Sequence, residues 1–137
     1  MKTPPLLLPL LLALLCGGAA QAQSGDARAA YQAGLMYRNG TGVAADAVLA
    51  ARWIALAARG GLAEAMFTWS NMLAAGEGVP PDDAAARRWL EESAALGYPA
   101  ALQELALKEP DPRQAELLMR QAAHALQHRT PPPGSTP

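Results

Sequence analysis

Cysteine is nearly missing from this chain of 137 residues: there is one, Cys16, inside a segment read below as a removable leader. The remaining chain therefore has no disulfide, no thiolate zinc site and no cysteine nucleophile. A basic excess is missing as well. Lys and Arg number 11 against 12 Asp and Glu; without Lys2, which lies in the leader, ten bases face twelve acids, a formal charge of −2. Nucleic-acid binding needs a basic face, and this balance does not supply one. Serine occurs only as Ser24, Ser70, Ser93 and Ser135. Each stands in a tail or at a small-residue packing position, and none has a His that the repeat geometry described below would bring close. No residues are left for a serine or cysteine hydrolase.

A hydrophobic run long enough to span a membrane is also lacking. The first residues carry one Lys, a leucine-rich run from Leu6 to Leu15 broken by Pro9, and small residues ending in Ala20-Gln21-Ala22. This pattern is that of a secretory leader over residues 1–22, cleaved after Ala22 so that the exported chain begins at Gln23. The competing reading is a lipoprotein anchored through Cys16; it is disfavoured by Leu15, which stands where lipid attachment needs a small residue. The tail from Thr130 to Pro137, "TPPPGSTP", has no apolar periodicity and is expected to be disordered. One domain over residues 23–129 remains.

What is present is a repeat. "YRNGTGVAADAVLAARW", Tyr37 to Trp53, returns 36 residues later as "LAAGEGVPPDDAAARRW", Leu73 to Trp89. The same offset relates Met36 to Met72 and Gly61 to Gly97. A fixed period of this size marks stacked units, none of which can bury its apolar face alone. Within each unit the apolar residues recur at three and four, as in Ala29, Ala33, Met36 and Ala65, Trp69, Met72, so each unit is a pair of helices. Gly40 and Gly76 are placed to end the first helix in the left-handed region, and Asp46 and Asp82 to cap the second. Val43 and Val79, the lone apolar loop residues, are expected in the groove between the helices. A third unit is shortened: Ala115, Leu118 and Ala122 follow Ala86, Trp89 and Ser93 at an offset of 29, with Asp111-Pro112 restarting the helix. The repeats run over about 27–62, 63–98 and 99–127. Trp53 and Trp89 align with Ala50 and Ala57, and with Ala86 and Ser93, which predicts that both pack in the core rather than form an exposed aromatic platform.

Three features invite chemistry and are read structurally. His124 and His128 are four apart on the last helix, but no Glu follows His124 and the nearest carboxylate, Glu116, is two turns away; a solvated helix end is expected, not a metal site. The "NGTG" loop has neither the third Gly nor the Lys of a phosphate cradle. The pairs Glu91-Glu92 and Asp82-Asp83 point about 100° apart on a helix, and Asp82 serves as a cap, so neither is an acid–base couple.

The residues Ala27, Ala30, Gly34, Met36-Tyr37, Gly40, Gly42-Val43, Asp46, Ala50, Trp53, Ala57-Ala58 and Gly61 together resemble the Sel-one-like repeat, a relative of the tetratricopeptide repeat with a longer loop. The second copy, Ala63 to Tyr98, departs at Ser70 for the helix-packing Gly, Leu73 for the Tyr and Trp69 for a smaller residue. The resemblance implies an all-α superhelical solenoid that binds a protein or peptide along its concave side, often in a bacterial envelope; with the leader it implies a periplasmic or secreted protein without cofactor. Some relatives with a Cys pair in each repeat handle β-lactams, which makes a hydrolase of β-lactam or cell-wall substrates the alternative; the exported chain has no Cys. In such repeats positions two, five, nine and twelve of the first helix face the groove. They fall here on Arg28, Tyr31, Leu35 and Arg38, and on Glu64, Phe67, Asn71 and Ala74. Tyr31, Leu35 and Phe67 would anchor a short peptide and Arg28, Arg38 and Glu64 would set its direction; packing of Tyr31 and Phe67 between neighbouring helices is the competing expectation. Self-association is a further reading, because three units barely reach what a solenoid needs.

Overall fold

A computed structural model describes residues 25–128, which form six helices and, among the described residues, no strand. The leader with Cys16, the cut after Ala22 and the tail from Thr130 to Pro137 lie outside the described residues. Helix α1 occupies residues 25–39. It is followed by α2 (Ala47–Arg59), α3 (Ala63–Ala75), α4 (Asp83–Ala95), α5 (Pro99–Lys108) and α6 (Pro112–Gln127). The three units are thus α1–α2, α3–α4 and α5–α6. Consecutive helices pack against one another along the stack. No described helix is long and apolar enough to cross a membrane.

The turn chemistry is repeated almost atom for atom. Gly40 and Gly76 sit at φ 68° and 69°, where an L side chain would be strained and Gly is not. Past them the Thr41 and Glu77 amides return to the Met36 and Met72 carbonyls at 3.0 and 2.9 Å, and the Asp46 and Asp82 amides reach the Tyr37 and Leu73 carbonyls, both at 2.9 Å. The Asp46 and Asp82 carboxylates then accept from the Leu49 and Ala85 amides, both at 3.0 Å. These bonds satisfy donors that a helix start leaves unpaired, and the carboxylate suits the positive end of the dipole. In the shortened unit Asp111 accepts from the Arg113 amide at 2.9 Å, with Pro112 in the first turn.

The core is continuous through the first two units. Ile54 and Met72 are fully enclosed, Trp69 is 8 % exposed, and the small residues Ala50, Ala57, Ala58 and Ala65 let the helices approach closely. A second cluster of Leu90, Ala94, Ala101, Leu102 and Ala122 binds the last unit to α4. Val79 packs against the first cluster.

One expectation fails. Trp89 packs half-buried against the core, but Trp53, its counterpart one repeat earlier, is 39 % exposed. The repeat position is the same and the surroundings are not. Trp89 has the first unit alongside it, whereas no described residue stands ahead of the unit that carries Trp53.

Candidate peptide-binding face

The side chains predicted to line the groove come from α1 and α3, and the structure divides them into two groups. Tyr31 reaches from α1 to α3, its hydroxyl 3.1 Å from Thr68 Oγ1, and its ring rests on the first core cluster. Burial pushes its phenol above the ordinary tyrosine value, the Thr68 hydrogen bond opposing that rise. Thr68 in turn donates to the Glu64 carbonyl at 3.1 Å. Phe67 has the same role in the second unit, lying half-buried against the second cluster with its ring 5.4 Å from that of Tyr98. Both aromatics therefore pack between neighbouring helices.

Arg38 is engaged too. Its Nε and Nη2 donate to the two carboxylate oxygens of Glu77 at 2.8 and 2.9 Å, a fork-to-fork pair joining the end of α1 to the loop of the second unit. Hydrogen bonding to Glu77 raises the Arg38 pKa further above its already high value. The sequence gives no sign of this pair, because its partners lie 39 residues apart and Glu77 occupies a loop position that is Thr41 in the first repeat.

The second group makes no such bonds. Arg28 is exposed, Leu35, Glu64 and Asn71 are half-buried, and Ala74 is exposed. Among the described residues the side chains of Arg28, Glu64 and Asn71 have no hydrogen-bond or ion-pair partner. Continuing the count of 36 from Ala63 to Pro99 extends this row to residues not predicted: Ala100 at position two, Gln103 at five and Leu107 at nine. Leu107 is 84 % exposed. Ala74 borders a hollow of about 190 Å³ shared by Ser70, Leu90, Leu105, Glu104 and Lys108.

The groups considered for chemistry are otherwise occupied. The Ser70 and Ser93 hydroxyls donate to the Ala86 and Ala63 carbonyls at 2.6 and 2.7 Å, tying helix to helix. The rings of His124 and His128 stand 4.3 Å apart, and no cluster of three metal-ligating side chains occurs among the described residues.

A family model for the Sel1 repeat matches residues 27–62, 63–98 and 103–125. No curated protein matches the chain significantly. Among solved structures, a Sel1 repeat protein from Oxalobacter formigenes aligns with TM-score 0.68 and 24 % identity over 77 % of this chain and 46 % of its own. A protective antigen of uropathogenic Escherichia coli that displays the same repeat fold aligns with TM-score 0.66 and 31 % identity, over 76 % of this chain and 24 % of its own. The chain thus spans less than half the length of either. Sel1 repeats form solenoids that generally serve protein–protein interaction. With all three of its units matched, the chain belongs to the Sel1 repeat family.

Proposed function

We propose that this protein is an exported, non-catalytic module that binds a protein or peptide across the row of first-helix side chains on α1, α3 and α5. The observation that carries the reading is the division within that row. Tyr31 and Phe67 pack between neighbouring helices and Arg38 pairs with Glu77 in the loop of the second unit, which leaves Arg28 and Glu64 at position two and Leu35, Asn71 and Leu107 at position nine to meet a ligand. Such a row offers an extended peptide apolar contacts at both ends, an amide in the middle and charges of opposite sign along one edge. The hydrolase alternative has no support of this kind, since both described serines donate to helix carbonyls.

Binding is tested with peptides selected from a displayed library against the purified protein. Arg28→Glu and Leu107→Asp should each weaken the selected peptides at least about tenfold while leaving the melting temperature nearly unchanged, as befits exposed groups. Unaltered affinity in both variants rejects this face. A chromogenic β-lactam turned over by the wild type, with turnover abolished by one substitution, would favour the hydrolase instead. Export to the periplasm or beyond is tested by mass spectrometry of the mature N-terminus, expected at Gln23. A lipidated Cys16 would mean an anchored protein.

A further inference from the structure

We propose that the joint between the second and third units holds a side-chain pocket, which takes a methionine or another unbranched apolar side chain of a partner peptide, next to a basic residue of that peptide. The pocket is the hollow of about 190 Å³ beside Ala74. The repeat shows how it comes to be open. In the joint between the first and second units, Ala50, Ile54, Trp69 and Met72 belong to one core cluster. Counting on by 36, the same four positions of the next joint are Ala86, Leu90, Leu105 and Lys108, and all four line the hollow. Two of these exchanges withdraw volume. Leu105 is smaller than Trp69, and Lys108 is exposed where Met72 is 0 % exposed. The Lys108 ammonium pairs with Glu104 at 2.5 Å, its charged head held at the wet surface. A further exchange opens the mouth: Ala74 stands where the first unit has Arg38, and the third unit, with its shortened loop, offers no counterpart of Glu77.

The chain itself indicates the occupant. At the preceding joint the position of Lys108 is a methionine, wholly enclosed, and an unbranched thioether adapts to an irregular gap. Ala74, Ala86, Leu90 and Leu105 give the hollow apolar walls, and about 150 Å³ of such space holds a guest the size of benzene. One side chain therefore fits. The Ser70 hydroxyl in the wall already donates to the Ala86 carbonyl at 2.6 Å, so an apolar guest strands no donor there.

Charge sets the flank. At the rim Arg87 and Lys108 are paired with Glu91 and Glu104, whereas Asp83, which stands where the first joint has Ala47, has no ion-pair partner among the described residues. The uncompensated rim charge is negative and suits a Lys or Arg beside the anchor. A peptide lying across the binding row would pass the mouth at Ala74, but the pocket needs neither Arg28 nor Leu35 and stands apart from that reading.

Two peptides blocked at both ends, Ala-Lys-Met-Ala and Ala-Lys-Ala-Ala, are titrated into the isotope-labelled protein and followed by NMR. The methionine peptide should bind at least about tenfold more tightly, in keeping with the burial of one side chain, and should shift the Leu90 and Leu105 methyl signals. Exchanging its Lys for Glu should weaken it, and less so in Asp83→Asn. Lys108→Met and Leu105→Trp restore the residues of the preceding joint; each should raise the melting temperature and abolish the preference for methionine. Lys108→Ala, which removes the charge without filling the hollow, should keep that preference. Arg28→Glu should leave these short probes unaffected, so the outcome is independent of the binding row. Equal binding of the two peptides overturns the proposal, as do shifts confined to other surfaces. So does a preference that persists in both Lys108→Met and Leu105→Trp, and a Lys-to-Glu exchange without effect overturns the basic flank.

Discussion

Ser70 donates its hydroxyl to the Ala86 carbonyl across 2.6 Å, at the place where the preceding repeat sets Gly34 against Ala50. A Cβ on Gly34 would come within 2.5 Å of Ile54 Cγ1 and 3.3 Å of the Ala50 carbonyl oxygen. The two units thus solve one close crossing differently: the first removes the side chain, and the second uses it as a bond. Gly34→Ala should therefore destabilise by about 1–3 kcal/mol through overpacking, and Ser70→Ala by about 1 kcal/mol through the lost hydrogen bond. Urea titration of both variants checks the order; equal losses would mean that Ile54 gives way freely.

The loop glycines should respond unequally. Both Gly42 and Gly78 have positive φ, 75° and 69°, so alanine is strained at either, by about 1–2 kcal/mol. Only Gly78 also lies against the Ala47 backbone. Gly78→Ala should cost clearly more than Gly42→Ala, and melting curves showing the same loss for both would disprove the contact.

The three tryptophans should separate by burial. Trp69→Ala empties a core site and should cost about 3–5 kcal/mol, a large share of the roughly 5–15 kcal/mol that holds a domain of this size. Trp89→Ala should cost less, and Trp53→Ala within about 1 kcal/mol. Thermal melts of the three variants test the ranking.

Arg38 and Glu77 should contribute modestly and in a salt-dependent way. Each side chain is about a third exposed, 35 % and 32 %, so water screens the pair and its worth is up to about 1 kcal/mol. A double-mutant cycle with Arg38→Ala and Glu77→Ala should give a coupling that shrinks in 1 M NaCl; a coupling unaffected by salt would indicate packing rather than charge.

Tyr31 should add an alkaline limb to stability. Burial raises its pKa above the ordinary 10.0, so the folded state holds the phenol proton more tightly than the unfolded state does. That contribution is complete below pH 10, and it is lost as pH rises through the raised folded value, because the unfolded chain gives up its proton first. Between pH 9 and 11 the wild type should lose more stability than Tyr31→Phe, which has no proton to release. At neutral pH the variant should be weaker by about 1 kcal/mol for want of the Thr68 bond. Parallel slopes for the two proteins would contradict the burial.

The local features were legible because their causes are local. A period of three and four, an Asp before a helix, a Pro after it and a Gly where φ must be positive act within one turn of backbone, so the helix pairs and their boundaries could be read from the residues. So could the family, whose signature consists of those same turn and packing positions. The proposed binding row was legible only as a register. Counting by 36 put Arg28, Leu35, Glu64 and Asn71 on one side, but could not tell that Tyr31 would bond to Thr68 or that Arg38 would close on Glu77, contacts made between units rather than within them.

By itself, then, the sequence determined the repeat, its helices, its caps and its left-handed turns, since each depends on neighbours a few residues away. The tertiary structure alone decided which of two identical letters is buried. Met36 and Met72, or Trp53 and Trp89, share a repeat position, yet one of each pair is covered by the unit before it and the other is not. Burial is a property of what stands alongside, and in a stack of units the first has no described neighbour to supply it.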